Sequence, residues 1–409
     1  MVVRAKVRHQ TRVDHPEVEG TVAPGFEPVR DAFVGNFTER GELGGAVCAV
    51  VDGEVAVDLW GGVRDATSGD RWTADTMTLV HSTTKGLSAM VLALLHSRGL
   101  LAYDQRVAAY WPEFAAAGKQ DVTVRQLLAH QAGLFGFDEP VDRELVADLD
   151  RLAGVMERQR PIWPPGERQA YHAITLGFYE NELVRRIDPA HRTIGRILHE
   201  DIAVPLGVGE EVFIGTPASV PNERLAVLVP PGRWARLTSM PISLTVDALR
   251  PHSVLHRSLV ANPGTGFYVD RDRVIVREIE VPSGGAVASA RAIATAYGAF
   301  AAPGGPLDLR QETIDALAAP ATPARQGWYD ACFRGPAKFS LGFMKPSETF
   351  AFGADTAFGA PGAGGSMGFA DPALRLGYGY VTDRMGMDLR GDPRDVALRQ
   401  ALHAALANA

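Results

Sequence analysis

Ser82-Thr83-Thr84-Lys85 sets a hydroxyl and an amine three residues apart. On a helix, positions i and i+3 share a face, so the amine reaches the hydroxyl. Serine is a poor nucleophile alone and needs a base. Lysine serves as that base only when its pKa falls well below its usual value of about 10.4, which desolvation or nearby positive charge achieves. The sequence behind the motif predicts burial, because Leu87, Met90, Val91, Leu94 and Leu95 form a dense apolar stripe on one helix. Lysine is scarce: Lys6, Lys85, Lys119, Lys338 and Lys345 are the full set, and only Lys85 has a serine three positions before it. The spacing alone is a weak signal, since about one chance match is expected in a chain of this size and most such pairs are a helix cap beside a solvated lysine. Gly86 is expected to admit a second backbone at close range.

Two further stretches carry chemistry. Tyr171-His172-Ala173 follows the breaker Pro164-Pro165-Gly166. A tyrosine at such a loop–helix junction can point its hydroxyl into a cleft. A neighbouring lysine would stabilise its phenolate, letting it take and return the serine proton. The plain alternative is a half-buried tyrosine bonded to a backbone carbonyl. The Gly-rich run Phe358 to Gly368 precedes an alternating segment and suits close approach to a ligand. An N–H exposed there, paired with that of Ser82 at a helix start, would form an oxyanion hole; otherwise this is an ordinary Gly-rich loop. Gly364 to Gly368 also fits G-x-S-x-G, with Ser366, Asp388 and His403 in the chain order of an α/β-hydrolase triad. That fold needs several more strands and helices downstream than the remaining chain allows, so Ser366 is read as structural.

No metal or cofactor is expected. His199-Glu200-Asp201 lacks a second ligand at working spacing, H-E-x-x-H is absent, and Thr84-Lys85-Gly86 lacks the upstream glycines of a phosphate loop. His130 and His172 are placed beside the cleft, making structural hydrogen bonds and, with Ala360 and Gly362, bordering the substrate. His81 could face either way. The net charge of −7 and pI near 5.9 exclude a basic nucleic-acid or anionic-membrane footprint. The N-terminus has no apolar signal core, and no run is long and apolar enough to span a bilayer. Cys48 and Cys332 read as two buried thiols in a reducing cytoplasm. A homo-oligomer is left open.

The elements that must position these residues follow from periodicity. Residues 1–20 read as an arm. Phe26, Val29, Phe33 and Phe37 mark a helix ending near Gly41; Ala46 to Val51, Asp52-Gly53 and Glu54 to Trp60 mark a hairpin. Residues from Asp104 to about Pro205 are mostly helical. Thr123 and Gln126 form a capping box there, Gly133 is placed to end the short helix, and Leu176 to Ile187 forms another. Ser219 to Val281 is read as irregular and as a candidate lining of the site. Ser289 caps a helix, Met367-Phe369 and Leu374 to Tyr380 are strands, and Asp392-Pro393 opens the last helix. The expected fold is α+β: one antiparallel β-sheet built from both chain ends and flanked by helices, with a mostly helical insertion. Residues 21–409 are expected to form a single domain, with an α/β lobe at 21–105 and 282–409 and a helical lobe with the irregular segment at 106–281.

In this order the three motifs resemble the serine β-lactamase and penicillin-binding-protein family, nearest its class C-like branch of esterases, D-aminopeptidases and acyltransferases. Trp60-Gly61-Gly62, the stretch Val124 to Leu134, Pro205-Leu206-Gly207 and Gly364 to Pro372 add to the likeness, which spans about Pro24 to Met385. The resemblance implies that Ser82 is acylated, Lys85 acts as base or electrostatic activator, and Tyr171 shuttles the proton. It further implies that the N–H groups of Ser82 and Ala363 bind the oxyanion. Two positions depart from the family pattern: Ala173 replaces an Asn, and Ala360 replaces a Lys or His that normally contacts a substrate carboxylate. Their loss argues against β-lactams and D-Ala peptides and favours a small neutral acyl ester. Acyl transfer to a non-water acceptor, and an inactive scaffold, are the alternatives.

Overall fold

The computed structural model describes residues 17–232, 242–261, 277, 279–388 and 390–408. Positions 1–16 of the expected arm, and parts of the Ser219–Val281 stretch, lie outside the described residues. The arm reading fails at its inner end: Val18–Val22 is a strand, paired antiparallel with Glu54–Asp65.

Both chain ends build one antiparallel sheet. Its order runs Val18–Val22, Glu54–Asp65, Gly44–Val51, Leu376–Thr382, Met367–Asp371, Phe358–Pro361, Phe343–Met344 and Phe339–Ser340, with Asp70–Arg71 on the far end of Glu54–Asp65. The Asp52-Gly53 turn has φ of 52° and 84°, the twist that two-residue hairpins require. On one face, the helices Glu27–Glu39 and Pro393–Asn408 pack Phe33, Phe37, Leu398 and Leu402 against Val47, Leu59, Tyr378 and Tyr380. On the other face lies the helix Ala290–Ala299, capped by Ser289, whose Oγ accepts from Ala292 N at 3.0 Å. That helix sits almost on the backbone of the central strands. A Cβ at Gly377 would lie 2.2 Å from Gly298 N, and one at Gly379 would lie 2.3 Å from Ala290 O. These two glycines therefore set the helix–sheet spacing, and alanine at either would push the layers apart.

The Thr84–Ser97 helix runs through the core, with all of its residues buried except His96. The apolar stripe of the sequence is thus the visible part of a helix covered on every side. In the helical region, Thr123 and Gln126 form the expected capping box at the start of Val124–Leu128. The residue that ends this helix is not Gly133, however. His130 takes the left-handed conformation (φ 58°), while Gly133 (φ 71°) turns the following segment. The Ser219–Val281 stretch is less irregular than expected, since it holds the helices Ile242–Leu249 and Val254–Leu259. Among the described residues, no helix is long and apolar enough to cross a membrane.

Candidate active site

A small three-stranded sheet, Thr78–Leu79, Ala286–Ala288 and Val212–Ile214, delivers the chain to Ser82. His81 then adopts φ 47°, uncommon for a non-glycine residue, and turns the strand into the helical turn His81–Thr83 that leads into Thr84–Ser97. The turn is held from both sides. Thr84 Oγ1 donates to His81 O at 2.5 Å and accepts from Ala286 N at 3.0 Å, and Val80 N donates to Ala286 O at 2.9 Å. Ser82 is thereby left half-buried at the helix start, between fully buried neighbours.

Lys85 is buried, and its Nζ lies 2.7 Å from Ala173 O, 2.7 Å from Ser283 O and 3.3 Å from Ser82 Oγ. Burial pulls its pKa down to about 7, against the weaker opposing pull of the Glu180 carboxyl. A neutral amine has two N–H groups and one lone pair. The two carbonyls absorb the N–H groups, and the lone pair is left facing the Ser82 hydroxyl. The missing second-motif asparagine is partly answered here, because the main-chain oxygen of Ala173 bonds the lysine directly.

Tyr171 lies beside this pair, with Lys85 Nζ 4.8 Å from its ring centroid. Its ring stacks on Phe333 at 4.8 Å and on Phe339 at 5.9 Å. The turn Tyr171–Ala173 is clamped by Ser258, whose Oγ donates to Tyr171 O at 2.7 Å and accepts from Ala173 N at 3.0 Å. Ser258 belongs to the Val254–Leu259 helix, so the stretch read as a candidate lining does reach the site.

Ser82, Lys85 and Tyr171 open together onto a cavity of about 190 Å³, bordered also by His130, Ala360 and Ala363. Leu259, Phe333, Phe339, Phe343 and Met344 make its wall apolar, and Arg390 adds a charge. Arg390 Nη1 donates to Pro336 O at 3.1 Å, and its guanidinium lies 5.4 Å from the Phe333 ring centroid.

Several expectations need correction. Gly362 is buried beneath the loop rather than bordering the cavity: a Cβ there would lie 2.2 Å from both Val80 O and Ser366 Oγ. Its lack of a side chain lets the Gly-rich loop close on the helix start that carries Ser82. His172 is also removed from the substrate. Its Nε2 accepts from Leu134 N at 3.0 Å and its Nδ1 donates to Ala170 O at 2.6 Å, so both ring nitrogens are used. His130 does border the cavity, and its Nδ1 accepts from His172 N at 2.9 Å. Burial lowers the pKa of His172 to about 4 and pushes that of His130 well below its usual value, so both rings are neutral at pH 7. Beside Gly86 comes a side chain, not a backbone: a Cβ there would meet the Tyr297 hydroxyl at 1.9 Å. Ser366, the competing nucleophile, is buried; its Oγ donates to Val80 O at 2.8 Å and shares a hydrogen bond with Thr83 Oγ1 at 3.1 Å.

Sequence reasoning missed Ser258, Ser283, Phe333 and Arg390. Ser258 follows a legible cap, since Ser253 Oγ accepts from His256 N at 3.0 Å, but nothing local links any of the four to a cleft. Among the described residues, no group of His, Cys, Asp and Glu could hold a metal ion, and Cys48 and Cys332 are buried free thiols.

A family model described as Beta-lactamase matches residues 29–402. The chain belongs to the beta-lactamase family. Within it, this beta-lactamase family member is 32% identical over 399 residues to the esterase/beta-lactamase LipL of Mycobacterium tuberculosis (strain ATCC 25618 / H37Rv), covering 94% of this chain and 89% of LipL. It is similar in structure to a family VIII carboxylesterase (36% identity, TM-score 0.84, 95% of this chain and 100% of the other). It is also similar to EstA from Arthrobacter nitroguajacolicus Rue61a (32% identity, TM-score 0.80, 96% of this chain and 99% of EstA). The antiparallel sheet with helices on both faces is thus the fold of the beta-lactamase family, as the motifs implied.

Proposed function

We propose that ester cleavage proceeds through an acyl-enzyme on Ser82, with Lys85 as the base. The chain is a serine hydrolase of the carboxylesterase type. The observation that carries the mechanism is the three-point setting of Lys85 Nζ, in which two carbonyls at 2.7 Å orient an uncharged amine toward Ser82 Oγ. As Oγ attacks the acyl carbon, its proton passes to the amine. The oxygen of the departing alcohol takes a proton delivered through the Tyr171 hydroxyl, and the C–O bond breaks. The N–H groups of Ser82 and Ala363 hold the charge that develops on the carbonyl oxygen. Water then adds to the acyl-enzyme, the acid leaves, and Ser82 regains its proton.

The cavity supports a short, neutral acyl group. Its volume is small, its wall is apolar apart from Arg390, whose guanidinium is engaged by Pro336 O and the Phe333 ring, and Ala360 offers no cation where the family pattern has one. Incubation with a short-chain nitrophenyl ester and a fluorophosphonate, followed by intact mass measurement, tests the reading. Hydrolysis and a single adduct at Ser82 are expected. An adduct that persists in Ser82→Ala moves the nucleophile elsewhere, and absence of both turnover and adduct favours a scaffold. Labelling with little hydrolysis calls for a panel of acceptor alcohols, because acyl transfer uses the same intermediate.

A further inference from the structure

Arg394, the second residue of the Pro393–Asn408 helix, is a buried guanidinium that the catalytic scheme leaves unused. It has five N–H groups to place, and the structure gives each an acceptor. Nε and Nη2 grip Asp392, at 2.9 Å to Oδ1 and 2.7 Å to Oδ2. Nη1 donates to Glu42 Oε1 at 2.9 Å and to Thr382 Oγ1 at 3.0 Å. The last bond leaves this side-chain cluster: Nη2 also donates to the main-chain oxygen of Gly364, at 3.1 Å. Gly364 follows Ala363, which borders the catalytic cavity. Stability alone is a poor reason for such a cluster, since packed apolar residues often replace a buried ion group at no loss. The loop lies directly on it. A Cβ at Gly365 would lie 2.7 Å from Asp392 Oδ2 and 3.1 Å from Arg394 Nη2.

We propose that Arg394 is a positioning residue for the reaction: it acts through the peptide groups of the Gly-rich loop to orient and polarise the Ala363 N–H toward the oxyanion. This rests on the reading of the Ser82 and Ala363 N–H groups as the oxyanion hole. The connection can be followed bond by bond. Gly364 O, which accepts from Arg394, shares a peptide group with Gly365 N, and Gly365 N donates to Gly362 O at 3.2 Å. Gly362 O shares its own peptide group with Ala363 N. Two peptide groups in series therefore join the guanidinium to the oxyanion donor. A peptide whose oxygen accepts a hydrogen bond donates more strongly at its nitrogen, and each bond in such a chain strengthens the next by about 10–30%. Gly386 N adds a second bond to Gly364 O at 2.9 Å, and Gly362 N donates to Ser366 O at 2.8 Å, so the loop is also held in place. Asp392 and Glu42 balance the guanidinium charge, which leaves the bonded chain as its route to the site. The effect is accordingly smaller than the roughly 10²- to 10³-fold loss that follows removal of an oxyanion donor itself.

The test compares a short-chain nitrophenyl ester with its thiono analogue, in which sulfur replaces the carbonyl oxygen. Sulfur is the longer-bonded and weaker acceptor, so the ratio of the two kcat/KM values reads the oxyanion hole and is not moved by a change in stability alone. The wild type is expected to prefer the oxygen ester about a hundredfold or more. Arg394→Met should lower that ratio about three- to tenfold, with a fluorophosphonate still labelling Ser82. Arg394→Met strands two buried carboxylates, so Gly386→Ala is measured beside it. Gly386 does not have a positive φ, and a Cβ there would lie 2.2 Å from Asp392 Oδ2 and 3.2 Å from Arg394 Nη2. That substitution keeps every charge paired but crowds the Asp392–Arg394 pair away from the loop, and it should lower the ratio in the same direction. A wild-type ratio in folded, Ser82-labelled Arg394→Met would overturn the role of Arg394; if Arg394→Met does not fold, the same result in Gly386→Ala does so. A wild type that labels at Ser82 without preferring the oxygen ester would instead remove the oxyanion-hole reading on which the proposal rests.

Discussion

Among the described residues, Lys85, Lys119 and Lys345 are buried, and they are not equivalent. Lys119 Nζ donates to Ala116 O at 2.9 Å, Glu157 O at 2.7 Å and Gln159 O at 2.7 Å. Lys345 Nζ donates to Leu317 O at 2.9 Å, Ala318 O at 3.1 Å and Thr356 O at 3.0 Å. Each gathers carbonyls at a helix C-terminus, where an ammonium suits the partial negative charge. Three carbonyls need three N–H donors, which only the protonated form supplies. Lys85 has two carbonyls and a hydroxyl, and the hydroxyl can donate. Burial lowers the pKa of all three, to about 8 for Lys119 and Lys345 and about 7 for Lys85. Burial with a lowered pKa therefore does not mark a base. The chemistry of the third partner does.

Substitution should separate the two kinds of lysine. Lys85→Met is expected to lower the rate of Ser82 acylation about 10³-fold or more while the protein still melts cooperatively. Lys119→Met and Lys345→Met should do the reverse. Each leaves three carbonyls without their donor and should cost about 2–4 kcal/mol in urea unfolding, with the acylation rate of the folded protein within about twofold of wild type. A large acylation defect in Lys119→Met would erase the distinction.

The pH profile sharpens the same contrast. A lowered folded-state pKa means that the ammonium forms only below about 7, so the free amine is the majority form above it. Acylation should rise through a midpoint near 7 and fall about tenfold for each pH unit well below it. The same midpoint is expected in Lys119→Met and Lys345→Met. A smaller effect is expected at the latch of the Gly-rich loop. Ser366→Ala removes the bond to Val80 O and should cost about 1 kcal/mol in thermal or urea unfolding, with the adduct still at Ser82.

What was legible in the sequence follows the reach of each interaction. Ser82 and Lys85 are three residues apart, so helix geometry alone joins them. The hairpin at Asp52-Gly53 and the caps at Thr123 and Ser289 are equally local, and they stand where their patterns put them. Tyr171 needed the order of motifs, because no periodicity links it to residue 85. Ser283, which holds Lys85 across 198 residues of chain, left no local mark. Single-residue chemistry misled in places. Gly133 has a left-handed backbone, but His130 ends the helix. Ala173 read as a lost side chain, yet its main-chain oxygen does part of the work, which no residue type reveals. His172 adjoins Tyr171 in sequence, yet its ring turns to Leu134 N and Ala170 O rather than to the cavity, because successive residues there point to different partners.

The most direct test of the central claim is the pH-dependent rate of fluorophosphonate labelling in wild type and Lys85→Met, with the adduct located by peptide mass. The account predicts one adduct at Ser82, a wild-type rate that climbs through about pH 7, and a residual rate in Lys85→Met smaller by about three orders of magnitude. An undiminished rate in Lys85→Met, or an adduct on Ser366, would contradict it.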